Sequence, residues 1–245
     1  MNPDWIIPQW PALRRVKAVS TTRAGGHSTG PWNGLNLGSG CGDDPAAVAK
    51  NRAVLRTYLP ATPQWLRQVH GAAVFSHSIP AASAGEFVAD AQVAFEPGQI
   101  CVVLTADCLP VLFSNRAGTR VGAAHAGWRG MAAGVLENTV QALGAPPDHL
   151  MAWLGPAIGA DVYEVGDDVK AAFTDRDSTG AACFRKKGAR WLFDLYAMAR
   201  HRLTRCGVID ISGGSHCTYS EARRFYSHRR DGTTGRTASL VWLQD

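Results

Sequence analysis

Short runs of β-branched and aliphatic residues, separated by polar and glycine-rich turns, recur along this chain. The apolar run ICVVLTA at 100–106 is typical of a buried strand. Comparable runs predict a strand at the start of the segment 15–38, which continues through a glycine-rich loop. Further strands are predicted at 64–69, 72–79, 109–115, 120–125, 150–154, 208–212 and 238–243.

Helical patterns lie between these strands. Asp44 is a favourable N-cap and Pro45 suits the first helical position, so a helix is predicted from 45 to about 58. Apolar residues at 131, 135, 136, 140 and 143 predict a second helix over 131–143, after a turn at 127–130. Two more helices are predicted at 167–173 and 194–206.

The order of these elements sets the fold class. Some strands follow one another directly and others follow a helix, which predicts a mixed sheet of the α/β (α+β) class. The chain shows neither an internal repeat nor a low-complexity tract, so we expect one continuous domain over 1–245. The basic segment 227–236 is interpreted as a turn, with a hairpin at Asp231 and Gly232.

Composition narrows the function without selecting it. With 46% hydrophobic and 18% charged residues, the chain is not of the disordered class. Its net charge of +5 fits an anionic substrate, a phosphate co-substrate or nucleic acid. The aromatic residues do not alternate regularly with basic ones, so we expect no nucleic-acid partner.

Location and assembly are likewise expectations from the sequence. The chain has no run near the ~20 apolar residues of a membrane span, and its first residues lack the pattern of a signal peptide. We therefore expect a cytoplasmic protein with no membrane partner. The six scattered cysteines are expected to be free thiols, and the lack of a heptad pattern predicts a monomer.

Three segments place a reactive side chain where a predicted strand ends: QVHG at 68–71, TADCLP at 105–110 and AHAGWRG at 124–130. They contain His70, Cys108 and His125. Two imidazoles and a thiolate suit zinc, and three protein ligands leave a fourth position open for water or substrate. The spacings match no short zinc-finger pattern, so spacing alone is a weak signal.

Other interpretations of these residues stay open. Cys108 can be a buried apolar thiol near two satisfied histidines, or a nucleophile with His125 as its base. A His₂Cys set with an axial methionine binds copper, and Met131 is the one methionine close after His125. The sequence has no His-x-His pair, which argues against laccase-type multicopper chemistry.

Three further positions are candidates for chemistry. Arg129 precedes the helix predicted at 131–143 and is a candidate phosphate ligand, with a solvated surface arginine as the alternative. Asp107 is a candidate for proton transfer or for orienting a ligand. Arg229 and Arg230 add positive charge near a site or belong to a solvated turn.

Taken together, these motifs resemble the YfiH-type family, which is described variously as purine nucleoside phosphorylase, laccase-like polyphenol oxidase or peptidoglycan editing factor. The resemblance is carried above all by ADCLP at 106–110 and HAGWRG at 125–130, and also by TTRAGG at 21–26, QVHG at 68–71, GPAIG at 155–159 and SHRRDG at 227–232. It implies a layered α/β/β/α fold similar to that of cysteine hydrolases. It also implies that His70, Cys108 and His125 bind zinc.

The resemblance implies phosphorolysis of adenosine, inosine and S-methyl-5'-thioadenosine, together with adenosine deamination. The expected partners are then a small-molecule nucleoside and phosphate. An alternative is a hydrolase that removes a misincorporated amino acid from a UDP-MurNAc peptidoglycan precursor. A copper polyphenol oxidase and a non-enzymatic metal-binding module are further alternatives.

Overall fold

The structure is a computed structural model that describes residues 4–78, 87–175 and 177–245. Its strands are β1 (Val16–Ser20), β2 (Val74–Ser76), β3 (Ala91–Ala94), β4 (Ile100–Thr105), β5 (Leu109–Asn115), β6 (Val121–Ala126), β7 (Leu150–Leu154), β8 (Glu164–Val165), β9 (Phe184–Lys187), β10 (Arg190–Phe193), β11 (Asp210–Gly213) and β12 (Thr237–Leu243). Its α-helices are α1 (Pro45–Arg56), α2 (Trp128–Ala133), α3 (Val135–Leu143), α4 (Asp167–Thr174), α5 (Leu195–Arg205) and α6 (His228–Asp231).

The described strands form three sheets. The largest has the order β11-β7-β5-β6-β3-β2 and is mixed, because β2 pairs parallel to β3 and β11 parallel to β7. A second sheet, β1-β12-β4, is antiparallel throughout. A small antiparallel sheet, β8-β10-β9, lies outside these two. The predicted mixed α/β class is confirmed.

Apolar side chains alternate between the two faces of the large sheets and so produce layers. One face of the six-stranded sheet packs on α2, α3, α4 and α5, in a core that includes Phe113, Leu136 and Leu203. Its other face packs on the β1-β12-β4 sheet through residues such as Leu112 and Val241. The outer face of that second sheet is covered by α1, with Leu55 in contact. This is the α/β/β/α arrangement.

Helix α1 begins as predicted. The Asp44 side chain accepts a hydrogen bond from the backbone N–H of Ala46 at 3.0 Å, and Pro45 occupies the first turn. The cap satisfies one of the amides that a helix start leaves without a partner. The helix ends at Arg56, two residues before the predicted end.

The single helix predicted over 131–143 is wrong. The structure has two helices there, α2 and α3, separated by Gly134 with φ +98°. A left-handed conformation of this kind favours glycine and ends an α-helix. Helix α2 also begins at Trp128, inside the predicted turn.

Two other predictions are wrong for local reasons. The 227–232 segment is not a hairpin turn, because Ser227 caps the short helix α6 by accepting the N–H of Arg230 at 3.2 Å. The segment 64–69 is not a strand, and only an isolated bridge joins Arg67 to Val88. The strand predicted over 72–79 is present as β2, and its last position lies outside the described residues.

The six cysteines are all unpaired in the structure, in agreement with the predicted free thiols. None of the described helices has the length and apolar character needed to cross a membrane.

Candidate metal centre

Three different elements bring His70, Cys108 and His125 together. His70 lies in the loop before β2, and His125 lies near the end of β6. Cys108 lies in the short connection between β4 and β5, which passes from the three-stranded sheet to the six-stranded sheet. The site is therefore built at the edge where the two sheets meet.

The donor atoms are close enough to share one metal ion. The ligating atoms of these three side chains lie within 4.8 Å of one another, and Cys108 Sγ is 3.8 Å from His70 Nε2. A tetrahedral zinc ion with bonds of about 2.0–2.3 Å separates its donors by about 3.3–3.8 Å. Since His70 is exposed and His125 is buried, the set opens to solvent on the His70 side.

A buried carboxylate holds two of these ligands. Asp90 is fully buried and accepts a hydrogen bond at 2.8 Å from Nδ1 of His125, which leaves Nε2 to face Cys108 and His70. It also accepts the backbone N–H groups of Val69, His70 and Gly71 at 3.1, 2.9 and 2.7 Å. These bonds hold His70 at φ +61°, a left-handed conformation that is costly for a residue with a side chain. Burial raises the pKa of Asp90, but the bonds from His125 and the amides outweigh it and leave the pKa lowered.

The sequence reasoning missed this role of Asp90. The available signal was the strong tendency of a metal-binding imidazole to donate its other ring N–H to a carboxylate, a backbone carbonyl or water. No strand was predicted around Asp90, which immediately precedes β3, so its carboxylate was not connected with the metal ligands.

A glycine keeps the space between the ligands clear. A Cβ at Gly127 would lie 2.8 Å from Cys108 Sγ and 3.1 Å from His70 Cδ2. Any other residue here would push the ligands apart. Together with the soft and borderline donors, this space shows that the residues fit a zinc ion.

The charges at the site favour a thiolate. Burial raises the pKa of Cys108, but the charge and hydrogen bonds of His125 and His70 outweigh burial and lower it to about 6. Burial lowers the pKa of His125, whereas the Cys108 thiolate and Asp90 raise it above its ordinary value. The deprotonated thiol is the form that binds metal.

A testable consequence is the reactivity of Cys108 in metal-free protein. Because its pKa is lowered, the thiolate should dominate above about pH 6, and iodoacetamide should modify Cys108 at about pH 7. Cys101 serves as the internal control, since its burial raises its pKa far above the ordinary value. Peptide mass spectrometry across a pH series measures both rates. A midpoint near the free-thiol value of about 8.5 would contradict the thiolate assignment.

Asp107 precedes Cys108 in the chain, but its carboxylate forms hydrogen bonds with residues outside the metal-ligand set. Its Oδ1 accepts the Thr218 hydroxyl at 2.6 Å, and its Oδ2 accepts the backbone N–H of Arg229 at 2.6 Å. Its own φ is +89°. These contacts favour a positioning role, and the proton-transfer role predicted from sequence stays a prediction.

The metal centre opens into a cavity of about 1030 Å³. The exposed Arg129 lines it, and its guanidinium lies over the Trp128 ring at 4.4 Å. The other lining residues are the three metal-ligand candidates, three short stretches of chain and three single residues: His70, Cys108, His125, Gly38, Ser39, Gly40, Cys41, Trp65, Leu66, Arg67, Gln68, Leu104, Thr105, Ala106, Arg52, His228 and Arg236.

The remaining basic candidates have structural partners. Arg230 donates to the carbonyl oxygens of Thr218, Tyr219 and Phe225 and pairs with Asp231. Arg229 donates to the carbonyl oxygen of Glu164, and neither arginine lines the cavity.

Comparison with known proteins identifies relatives over almost the whole chain. The family model described as "Multi-copper polyphenol oxidoreductase laccase" matches residues 17–244. The chain is 52% identical over 241 residues to the purine nucleoside phosphorylase YfiH of Escherichia coli K12, which covers 97% of this chain and 98% of the relative.

Further matches agree in sequence and structure. The purine nucleoside phosphorylase PA4543 of Pseudomonas aeruginosa is 50% identical over 243 residues, covering 98% of this chain and 99% of its own. The crystal structure of Neisseria meningitidis protein NMB0706 superposes with a TM-score of 0.94 at 48% identity, over 99% of this chain and 100% of that one.

Proposed function

This chain belongs to the family described as multi-copper polyphenol oxidoreductase laccase, as do its YfiH relatives, and we propose that it is a zinc-dependent purine nucleoside phosphorylase. The names of its relatives support a role of the purine nucleoside phosphorylase type. In the proposal, adenosine, inosine and S-methyl-5'-thioadenosine are cleaved to the free base and the (methylthio)ribose 1-phosphate, and adenosine is also deaminated.

One observation carries the proposal: the His70, Cys108 and His125 donors converge at the wall of a cavity that also holds Arg129. Three protein ligands are the arrangement of catalytic rather than structural zinc sites. When bound, zinc would supply Lewis acidity and lower the pKa of coordinated water to about 7.

The chain's own residues divide the other tasks. The cavity of about 1030 Å³ has room for a nucleoside together with phosphate, since ligand pockets span about 300–1000 Å³. The exposed guanidinium of Arg129 has no carboxylate partner among the described residues and is our candidate for holding phosphate. Through its hydrogen bonds with Thr218 and Arg229, Asp107 holds in place the β4–β5 connection that bears Cys108.

Copper is the alternative metal, in keeping with the description of the family model. A blue-copper set needs a weak axial ligand such as methionine. Met131, the methionine nearest in sequence to His125, is fully buried in the core below the six-stranded sheet and does not line the cavity. Zinc therefore fits the described donors better.

The deciding experiment gives metal-replete protein adenosine plus phosphate, and separately a UDP-MurNAc precursor that carries a wrong amino acid. Liquid chromatography separates adenine, inosine and free amino acid. Release of adenine with ribose 1-phosphate is the expected result. Release of the amino acid alone would replace the proposal with the editing-hydrolase alternative.

Arg129→Ala tests the phosphate role. A hydrogen bond to a charged group contributes about 1.5–3 kcal/mol, so phosphorolysis should fall about ten- to a hundredfold and the KM for phosphate should rise. Deamination needs no phosphate and should fall much less. Arg14→Ala is the control, because this exposed arginine does not line the cavity. An equal loss of both reactions with zinc retained would contradict the phosphate role.

A further inference from the structure

A second group of basic side chains lines the same cavity. They lie beside the loop 38–41, which we call the glycine loop. The guanidinium of Arg52, from α1, donates Nε–H to the carbonyl oxygen of Leu37 at 3.0 Å and Nη2–H to Ser39 Oγ at 3.4 Å. Arg236, just before β12, packs against Gly38 of the glycine loop. A Cβ at Gly38 would lie 2.7 Å from Cγ of Arg236.

Both guanidiniums have N–H donors that are not used in hydrogen bonds within the described part of the molecule. Arg236 uses Nη1 to donate to the carbonyl oxygens of Thr234 and Gly235 at 2.8 and 2.9 Å. A guanidinium carries five N–H donors, so three remain on each side chain without an acceptor in the described part of the molecule.

The charges of this pair are not neutralised by the protein. Neither Arg52 nor Arg236 pairs with a carboxylate of the described residues, and no aspartate or glutamate lines the cavity. Both side chains are half-buried, and burial lowers the pKa of Arg52. Two partly desolvated cations that line one cavity without a counter-ion form a site that favours an anion.

Contacts with other residues hold Arg52 and Arg236 in place. The guanidinium carbon of Arg52 lies over the Trp65 ring, 4.0 Å from its centroid, and this cation–π contact restrains the side chain. The backbone N–H of Arg236 donates to Asn36 Oδ1 at 2.8 Å. In the glycine loop, the backbone N–H groups of Ser39, Gly40 and Cys41 have no acceptor among the described residues, so they are available as further donors.

We propose that Arg52, Arg236 and the glycine loop form a phosphoryl-oxyanion subsite of the cavity, separate from Arg129. Planar, forked guanidiniums and loop amides are the donors that proteins use for phosphate oxygens. The subsite takes either inorganic phosphate or a phosphate ester carried by the substrate. Its place in a reaction rests on the proposed function, whereas its binding property does not.

The test measures binding without turnover, by isothermal titration calorimetry of the metal-replete full chain. The probes are inorganic phosphate, adenosine 5'-monophosphate and adenosine. If variants of the subsite bind inorganic phosphate more weakly than the wild-type chain does, the ligand is the co-substrate phosphate. If they bind the monophosphate more weakly but bind adenosine normally, the ligand is a phosphate ester. A failure of the proposed function would appear as binding without phosphorolysis, so the two failures are distinguishable.

The sharpest variant pair is at Gly40. A Cβ at Gly40 has nothing within 4 Å and its φ is not positive, so a side chain fits there without strain. Gly40→Asp places a negative charge in the subsite, and Gly40→Asn has nearly the same shape without the charge. We expect Gly40→Asp to weaken binding of the phosphate probes about ten- to a hundredfold relative to Gly40→Asn.

Two arginine variants complete the design. Arg52→Gln and Arg236→Gln should each weaken phosphate or monophosphate binding about tenfold or more. Lys50→Gln removes the same charge from an exposed position of α1 that does not line the cavity, and it should change binding less than about threefold. Circular dichroism confirms that each variant is folded.

The proposal is overturned if the wild-type chain binds neither phosphate probe, or if Gly40→Asp binds them as Gly40→Asn does. Equal losses in Lys50→Gln and Arg52→Gln would also overturn it, because they would show a general charge effect. Loss of binding in Arg129→Ala, with Arg52→Gln and Arg236→Gln unaffected, would place the only oxyanion subsite at Arg129.

Discussion

Cys108→Ser should release the metal and abolish turnover together. A serine hydroxyl is a poor ligand at neutral pH, whereas the Cys108 thiol has its pKa lowered to about 6 and supplies a thiolate. Loss of the metal removes several kcal/mol of transition-state stabilisation, so activity should fall by more than about a thousandfold. Elemental analysis of the purified variant measures the metal, and the same sample is assayed for phosphorolysis.

Cys206→Ser is the matched control, since Cys206 is a half-buried thiol at the end of α5 that does not line the cavity. It should keep one metal ion per chain and full activity. Stoichiometric zinc in Cys108→Ser would remove Cys108 from the site. Copper instead of zinc in protein from metal-replete cells would revive the oxidase alternative.

Asp90→Ala should have the second-largest effect, although Asp90 touches no substrate. The change leaves the buried His125 Nδ1–H and the backbone N–H groups of Val69, His70 and Gly71 without their acceptor. Loss of such an outer partner lowers metal affinity about 10–100-fold. Leaving the buried His125 donor without an acceptor alone costs about 1–3 kcal/mol, so the melting temperature should also fall.

The conservative and matched variants separate the two effects. Asp90→Asn keeps one acceptor oxygen and should retain part of both stability and affinity. Asp44→Ala removes the N-cap of α1 and should cost about 1 kcal/mol of stability without changing metal affinity. Metal affinity is measured by chelator competition. An Asp90→Ala protein with wild-type affinity would show that the His125 tautomer does not matter.

Much of the fold was predictable from local chemistry, because α1 and the strands β4 to β7 have strong local signals. Asp44 and Pro45 start α1, and continuous apolar runs mark the strands that are buried on both faces. The short strands β8, β9 and β10 were missed, since β9 is exposed along most of its length and carries no apolar pattern. β9 and β10 pair as a hairpin across Gly188 and Ala189, whereas the pairing of β8 with β10 joins segments that are distant in sequence.

The site was predictable in its parts but not in its assembly. The three metal-ligand candidates follow from residue types at strand ends, and they converge as the resemblance implied. The orientation of Asp107 was not predictable, because Thr218 and Arg229 reach it from more than a hundred residues away. Gly134 could be read from the sequence as a possible helix end. The apolar periodicity continues across it, however, and therefore concealed the end of α2.

The path of the β4–β5 connection has a consequence for folding. Cys108 lies where the chain leaves one sheet for the other, while His125 belongs to the second sheet and His70 precedes its edge strand. The donors therefore converge only after the sheets have docked, and a ligand that binds only the docked state adds to its stability by mass action. Metal occupancy would couple unfolding of the two sheets into one cooperative event, and amide exchange in β4 and β5 should slow together when metal is added.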